Sequence, residues 1–492
     1  MLPNALAASA RARAVAENRP VLASFTERAP ELDPLTILES AGSGLEFNGL
    51  SEHAAAGMMY WTRPDERFTL AGLGAVATLT AEGPGRFASI DRSWGKILNG
   101  SLANASTSER LPGPVLMGGF AFENAGPQSE TWRNFPSAHF IVPRIQLTVA
   151  DGKCWTTVSW MVAADGQPDM DIETLLTLRS SVLKSGTPAL NGEMAIGDPA
   201  EVPRFRDSLP ADAWREMVSC AMAAIRAGNL QKVVLARAVE ATALRDLSVF
   251  ELVRQLRASQ ESSFVFSYWR NDSAFVGASP ERLVRLDGHS VSASSLAGTA
   301  RRGATKSEDE KLAAELIAST KDQAEHAAVR NSLRRNLAEV CDDVVAAQTP
   351  TLLTLQHMHH LHTAVTGRLQ SDNSLLDLVG RLHPTPAVGG SPSENALQFI
   401  HENEHLDRGW YAAPIGWVGR HAGEFAVALR SGVITGANAT LFAGCGIVAD
   451  SDPALELAES ALKLQPMQSA IAAALVSPTS DSTIVAGSEQ LQ

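Results

Sequence analysis

The chain has 492 residues, 45% hydrophobic and 19% charged, a composition typical of a globular protein with one large core or two ordinary ones. The formal net charge is −13 and no run of Lys and Arg stands out, so a nucleic-acid partner is not expected. Four scattered cysteines indicate reduced thiols in a cytoplasm, and no apolar segment is long enough to predict a membrane span.

The N-terminal part mixes strand-like runs with polar loops. Strands are predicted in RFTLAGLGAVATLTA, PVLMGGFAFEN and HFIVPRIQLTVA. A stretch rich in Gly and Pro follows, KSGTPALNGEMAIGDPAEVPRF, and predicts a linker. The chain is therefore divided into residues 1–200, residues 205–475 and a frayed polar tail, residues 476–492.

The second part has sharper signals. A helix is predicted in ADAWREMVSCAMAAIRAG and a strand in LQKVVLARAVEAT. Two hairpins are predicted next, SFVFSYWRNDSAFVG and RLVRLDGHSVSAS, the second turning at Asp287-Gly288. A long helical region is expected from about Lys306 to Cys341, and a last helix from Pro453. Adjacent hairpins with grouped helices predict an α+β fold with a largely antiparallel sheet.

The stretch HENEH, residues 401–405, matches the H-E-x-x-H zinc motif. A helix capped by Ser391 would place His401 and His405 on one face. Apolar residues fade after Ile400, however, and the third ligand has no supporting motif, with only Glu424 available. We therefore interpret the stretch as a helix that emerges into solvent rather than as a zinc site.

A second group of histidines lies in LTLQHMHHLHTAV. On a strand, His357 and His359 would point to one side and His360 and His362 to the other, so all four cannot bind one ion. We interpret this stretch as a strand with one functional or structural histidine.

Two titratable residues are candidates for proton transfer. Lys232 lies inside the apolar strand KVVLAR, where loss of water would favour a neutral amine base; the alternative is an edge-strand lysine. Glu281 follows Ser-Pro at the mouth of a hairpin, where burial would let it keep a proton and act as a general acid. Its alternative is an ordinary glutamate of a turn.

Further carboxylates lie on predicted helices. Glu325 is on one, and the helix after residue 453 places Glu456, Glu459 and Lys463 on one face. Such carboxylates suit a hard cation such as Mg²⁺, whereas the alternative is a solvated face with one Glu–Lys pair. Anion contacts are expected from Arg430 and from the backbone of two glycine-containing stretches, LAGTARRG and LFAGCGIV.

Together these stretches resemble the chorismate-utilising enzymes, the family of isochorismate, salicylate, anthranilate and aminodeoxychorismate synthases. The matching stretches, in the expected order, are KVVLAR, SPERL, AGTARRG, KDQAEH, LHPTPAVGGSP, RGWYAAPIGW, GEFAVALRSG, FAGCGIV and DPALELAESALKL. They cover about residues 205–470, and the first 200 residues match weakly. The resemblance implies one α+β unit, with large antiparallel sheets around a shared core and flanking helices. Residues 1–200 would contribute to that core, and residues 205–475 would bind chorismate.

The resemblance also implies a role for each candidate. Lys232 would be the water-activating base and Glu281 the general acid. Glu325 and Glu456 would hold Mg²⁺, with Glu459 supporting through the water shell of the metal. The residues expected to contact the substrate are Gly298, Thr299, His360, Ala387, Tyr411, Arg430, Gly446 and Lys463.

Three positions distinguish the reactions of the family. Ala297 stands where aminodeoxychorismate synthases carry a lysine, Lys232 is unusual for anthranilate synthases, and Ala387 stands where salicylate synthases tend to have threonine. We therefore expect Mg²⁺-dependent, reversible conversion of chorismate to isochorismate, for menaquinone, a siderophore or salicylate. Salicylate formation and a non-catalytic chorismate-binding subunit are the alternatives. The small-molecule substrate is the expected partner of a cytoplasmic monomer or weak homo-oligomer.

Overall fold

The computed structural model describes residues 2–42, 57–104, 113–124, 126, 129–185, 202–356 and 358–476. His357, most of the predicted linker and nearly all of the predicted tail lie outside the described residues. Within them, every helix is too short or too polar to cross a bilayer.

The strands of the described ranges are labelled in chain order. They are β1 Val21–Ala29, β2 Met58–Arg63, β3 Phe68–Thr80, β4 Leu102–Ala103, β5 Leu116–Phe120, β6 Ala138–Ala150, β7 Lys153–Val162, β8 Arg204–Asp207, β9 Lys232–Thr242, β10 Phe264–Arg270, β11 Ser273–Ser279, β12 Arg282–Asp287, β13 Ser290–Arg301, β14 Cys341–Ala346, β15 Thr351–Thr354, β16 Met358–Leu369, β17 Gly390–Ser391, β18 Pro414–Val418, β19 Ala422–Val427, β20 Ser431–Thr435 and β21 Asn438–Ile447.

The α-helices of the same ranges lie between these strands or flank them. They are Pro3–Glu17, Pro34–Gly42, Arg86–Leu98, Ile172–Ser185, Ala211–Arg226, Val249–Ser259, Lys306–Ala318, Thr320–Ala338, Leu375–Leu382, Ser393–Asn403 and Pro453–Val476.

One long strand, β6, joins the strands into a branched sheet. It pairs with β3 along one edge, and along the other with β5 through residues 138–141 and with β7 through residues 145–150. From β3, one arm runs through β2, β10, β11, β20 and β21 to β9. From β5, a second arm runs through β18, β19, β12 and β13 to β16. Within the described ranges only β1 and β4 pair in parallel, so the predicted α+β fold with a largely antiparallel sheet is confirmed.

Strands from the first 200 residues pair directly with strands from the second part. The junctions are β2 with β10 and β5 with β18. The boundaries proposed from the sequence at residues 200, 205 and 475 stay predictions.

Apolar side chains fill the space between the arms and cover their outer faces. The inner cluster includes the buried rings of Trp61, Phe140, Phe275 and Trp410. Outside the first arm, the helices Val249–Ser259 and Pro453–Val476 contribute a second buried cluster. The two arms therefore have a common core, which fixes the strands that carry the site.

The two predicted hairpins are present, and each has a residue with positive φ in its turn. Asn271 has φ +54 between β10 and β11, and Gly288 has φ +61 between β12 and β13. Asp287 pairs with Ser290, so the second turn is centred on Gly288 and His289, one residue later than predicted. Glycine adopts this left-handed conformation without a steric cost.

The long helical region predicted from about Lys306 to Cys341 is present. It is two helices, because Ser319 leaves the helical conformation at φ −66 and ψ 113 and caps the second one, accepting a hydrogen bond from Asp322 N at 3.2 Å. The second helix ends at Ala338, and Cys341 already belongs to β14.

The helix that carries HENEH also differs from its prediction. It begins at Ser393, because Ser391 belongs to β17 and pairs with Lys232. It ends at Asn403, and His405 has φ +50 beyond the helix, so His401 and His405 share no helical face.

Candidate active site

A cavity of about 260 Å³ lies between the two arms of the sheet. Its wall consists of β9 and β21 from the first arm, β13 and β16 from the second, and two helices, Thr320–Ala338 and Pro453–Val476. The cavity is lined by every predicted site residue: Lys232, Glu281, Gly298, Thr299, Glu325, His360, Ala387, Tyr411, Arg430, Gly446, Glu456, Glu459 and Lys463.

Lys232 is the first residue of β9 and is only 7% exposed. Its Nζ donates a hydrogen bond to Glu325 Oε1 at 2.6 Å. Burial disfavours the charged form of Glu325, but the adjacent Lys232 outweighs that cost and lowers the pKa of the carboxyl group. A Cβ atom on Gly446 would lie 2.6 Å from Lys232 Cε, so glycine at this position makes room for the lysine.

Glu281 lies between β11 and β12 and is 3% exposed. Its backbone N–H donates to Ser279 Oγ at 3.2 Å, and its carbonyl accepts from Val427 N at 3.1 Å. Burial raises the pKa of Glu281 to about 8, although the charges of Lys232 and Lys463 oppose the shift. Glu281 therefore holds a proton near neutral pH, as a general acid requires.

The last helix presents Glu456, Glu459 and Lys463 to the cavity, as its spacing predicted. Glu456 Oε1 accepts from Ser451 Oγ at 2.7 Å, and burial followed by repulsion from Glu459 raises the pKa of Glu456. Lys463 Nζ lies 2.8 Å from Glu459 Oε1 and donates to Gly444 O at 3.0 Å.

Arg430 supplies a buried cation to the same cavity. It is 6% exposed, and its Nη2 lies 2.9 Å from Met358 Sδ and 3.1 Å from His360 Nε2. Burial lowers the pKa of Arg430 to about 10, which leaves it charged at neutral pH. Among the described residues, no carboxylate forms a salt bridge with Arg430, so this guanidinium can bind a ligand anion.

His360 connects Arg430 to the β13 strand. Its Nδ1 lies 3.1 Å from Thr299 Oγ1, and burial followed by the charge of Arg430 holds the pKa of His360 well below its ordinary value. The register of β13 shifts between Ala297 and Thr299, where Gly298 has φ +78. The bulge lets the backbone of this strand approach the cavity closely.

The remaining predicted contacts lie on loops. Tyr411 is buried and stacks on Phe442, with ring centroids 5.5 Å apart. Ala387 N donates to Thr385 Oγ1 at 3.3 Å.

The carboxylates fit a hard cation by their chemistry. Glu325, Glu456 and Glu459 offer only oxygen donors, and a cation near Glu456 and Glu459 would offset their repulsion. Glu325 and Glu459 are instead paired with lysines, and no group of three His, Cys, Asp or Glu side chains in the described ranges is placed to hold a metal ion.

The same finding bears on both histidine stretches. The His401 side chain is 78% exposed, and its Nδ1 is 3.8 Å from Glu123 Oε2. On β16, His359 lies 2.9 Å from Asp309 Oδ1, whereas His362 lies 3.3 Å from Ser294 Oγ. Of the described histidines of that strand, His360 alone lines the cavity, as expected of a strand with one functional histidine.

The chain matches the family model of the chorismate binding enzymes over residues 8–472. It belongs to the chorismate-binding enzyme family. The isochorismate synthase MenF of Bacillus subtilis (strain 168) is 34% identical over 466 residues, which is 92% of this chain and 94% of the relative. The salicylate biosynthesis isochorismate synthase of Pseudomonas aeruginosa is 34% identical over 467 residues, covering 94% of this chain and 92% of the relative.

Solved structures of the family share the fold. The menaquinone-specific isochorismate synthase MenF of Escherichia coli superposes with a TM-score of 0.72 at 21% identity, covering 94% of this chain and 99% of that one. Anthranilate synthase component I of Streptococcus pneumoniae gives 0.67 at 23% identity, over 82% and 92% of the two chains. The predicted family, enzyme class and fold are confirmed. The family match also includes most of the first 200 residues, where sequence motifs gave only a weak signal.

Sequence reasoning missed three charged residues that line the cavity. Lys321 and Asp322 line the cavity one turn before Glu325, and the spacing of Lys321 and Glu325 in KDQAEH was the available signal. Arg408 also lines the cavity, and Glu404 four residues earlier was its signal. Both Glu404 and Arg408 are buried, so the interpretation that the chain emerges into solvent after Ile400 was wrong at these two residues.

Proposed function

We propose that this protein is an isochorismate synthase that converts chorismate reversibly to isochorismate and depends on Mg²⁺. The observation that carries the proposal is the presence in one cavity of Lys232 and of the buried Glu281, whose pKa burial raises to about 8. Two relatives of nearly equal length, named as isochorismate synthases, support it.

Chorismate is a dianion, and the cavity offers cations to both of its carboxylates. Arg430 and Tyr411 would bind the enolpyruvyl carboxylate. Lys463, Thr299 and the backbone near Gly298 would surround the ring carboxylate. Since the formal net charge of the chain is −13, attraction depends on these local cations rather than on the overall field.

The carboxylate set gives the metal its proposed place. Glu325 and Glu456 would hold Mg²⁺, with Glu459 acting through coordinated water, and the ion would supply positive charge to the ring carboxylate. Binding requires Glu325 and Glu459 to loosen their present contacts with Lys232 and Lys463.

The proton transfers follow from the two remaining groups. Lys232, acting as the base, would accept a proton from water, whose oxygen forms a bond to the ring carbon beside the carboxyl-bearing carbon. The ring double bonds shift, and the hydroxyl group across the ring leaves with the proton of Glu281. One water enters and one departs, so no oxidant or reductant is consumed and the reverse reaction uses the same groups.

The test is to incubate the protein with chorismate and Mg²⁺ and to identify products by chromatography. We expect isochorismate in balance with chorismate at pH 7–8, and chorismate when the reaction starts from isochorismate. Stoichiometric pyruvate would instead identify a salicylate synthase. Tight binding of chorismate without turnover would identify a non-catalytic subunit.

A further inference from the structure

Glu404, within the HENEH stretch, forms a buried ion pair with Arg408, which follows that stretch. The side chains of Glu404 and Arg408 are 1% and 2% exposed. Arg408 Nε donates to Glu404 Oε1 at 2.6 Å, and Arg408 Nη2 donates to Glu404 Oε2 at 2.5 Å. Two parallel bonds of this kind fix the orientation of both groups.

The pair completes one edge of β9, the strand that begins with Lys232. β17 covers that edge only opposite Lys232 and Val233. Beyond it, Arg408 Nη2 donates to Val234 O at 2.8 Å, and Ala236 N donates to Glu404 Oε2 at 2.8 Å. The two side chains thus satisfy backbone groups that a longer β17 would otherwise have paired.

Arg408 also holds two further segments of the cavity wall. Its Nη1 donates to Val388 O at 3.0 Å, directly beside Ala387. Its own carbonyl accepts from Tyr411 N at 2.8 Å, and its guanidinium lies 4.4 Å above the Phe122 ring. Arg408 therefore contacts the strand of the base, the loop of Ala387 and the turn of Tyr411.

A buried ion pair is weak evidence of a stabilising role, because the cost of removing two charges from water offsets their attraction. The guanidinium of Arg408 instead donates four hydrogen bonds, two to Glu404 and one each to Val234 O and Val388 O. The carboxylate of Glu404 accepts one more, from Ala236 N. A lysine has three N–H groups at one point and cannot reproduce the fork.

We propose that Glu404 and Arg408 form a positioning unit that holds Lys232 in register with the 387–388 loop. The inference rests on the proposed function, because its readout is isochorismate formation. Arg408 lines the cavity, but its guanidinium donates to Glu404, Val234 O and Val388 O, so its proposed role is to position Lys232 rather than to bind substrate or exchange a proton. The pair affects the rate indirectly, because it determines the position of Lys232.

The test compares Arg408→Lys and Glu404→Gln with wild type and with Asp377→Asn. Asp377 forms an i,i+4 pair with Arg381 on the surface, so its variant removes a matched pair outside the cavity. We expect kcat to fall at least about tenfold in the first two variants, since a displacement of ~1 Å can cost ~10²-fold. KM for chorismate should stay within about threefold and Asp377→Asn should match wild type, with melting curves measured for every variant.

A double-mutant cycle distinguishes positioning from a general effect on structure. In a Lys232→Ala background, Arg408→Lys should cause no further loss of the residual rate, because residues that act as a unit are not additive. Additive losses, a normal kcat in folded Arg408→Lys, or a raised KM with unchanged kcat would each overturn the proposal. Failure of both single variants to fold would also overturn it, since the pair would then be a stability element. Absence of isochorismate from the wild-type reaction would refute the proposed function itself.

Discussion

Two glutamates in one cavity, the buried Glu281 and the half-buried Glu325, have opposite electrostatic behaviour. Glu281, on the β11–β12 side, has its pKa raised to about 8 by burial, and Lys232 affects it only through its field. Glu325, on the helix Thr320–Ala338, has a lowered pKa because Lys232 Nζ is 2.6 Å away. Direct contact with Lys232 is therefore the difference between the two residues. Glu325, which has this contact, is a carboxylate that can bind a cation, whereas Glu281, which lacks it, can donate a proton.

Removal of the metal tests the carboxylate side of this comparison and has the largest expected effect. EDTA should abolish turnover, and added Mg²⁺ should restore it, because hard oxygen ligands prefer this ion. Product formation by chromatography is the measurement. Full activity in metal-free buffer would contradict the assignment of Glu325 and Glu456. Rescue by Zn²⁺ alone would contradict that assignment and also the interpretation of HENEH as a stretch that binds no zinc.

Substitution of the acid or the base tests the other side. Glu281→Gln and Lys232→Ala should each lower kcat by at least about 10²-fold, the scale of a positioned proton-transfer group. Glu424→Gln is the matched control, because Glu424 is also 3% exposed, with a pKa raised by burial, but lies outside the cavity. If either site variant stays folded and keeps a near-normal rate, that residue has only a structural role.

The raised pKa of Glu281 predicts that activity and stability both fall as the pH rises, but over different pH ranges. Above pH about 8 the acid loses its proton, so the forward rate should fall about tenfold per pH unit. Because the folded pKa lies above the ordinary 4.5, the protonated group favours the folded state at low pH, and this contribution is lost as pH rises towards 8.

Glu281→Gln removes that pH-dependent term. The melting temperature of Glu281→Gln relative to wild type should therefore rise between pH 5 and pH 9, while its activity stays low. A constant difference across this range would show that Glu281 is ionised in the folded protein.

A smaller effect is expected from the loop of Ala387. Salicylate formation requires isochorismate to stay bound while pyruvate leaves, and a hydroxyl at this position could help to hold that conformation. Ala387→Thr should raise the pyruvate yield per chorismate consumed, measured with a coupled lactate dehydrogenase assay. Stoichiometric pyruvate from the wild-type protein at neutral pH would show that the isochorismate synthase proposal is wrong.

The smallest effect is expected at His401, which is exposed on the surface. His401→Ala should change turnover by less than about twofold, as is usual for substitutions away from packed or charged sites. The zinc interpretation would be revived if His401→Ala lost most of its activity. Added Zn²⁺ would also have to restore the activity of metal-stripped wild type but not that of the variant.

The site could be predicted from the sequence because its residues lie at fixed places within recognisable stretches. Every predicted site residue reached the same cavity. The ion pairs within the site could not be predicted, because they depend on contacts between distant parts of the chain. Lys232 and Glu325, for example, are 93 positions apart.

The fold class was likewise readable from hairpins and grouped helices, whereas local boundaries were not. His405 takes φ +50 directly after Glu404, which turns inward to Arg408 and Ala236 N. The charged residues after Ile400 suggested a solvated face. In the sequence, a Glu and an Arg four residues apart look the same whether they form an exposed pair or a buried pair that bonds the backbone. Only the three-dimensional partners distinguish the two.

The branch point at β6 has a consequence for synthesis of the chain on the ribosome. β2 and β5 emerge early, but their partners β10 and β18 are made much later, β18 when translation is almost complete. Until then both strands present unpaired edges, which are sites for association with other nascent chains. We therefore expect truncation before residue 414 to leave an aggregation-prone fragment that depends on chaperones, rather than a smaller folded protein.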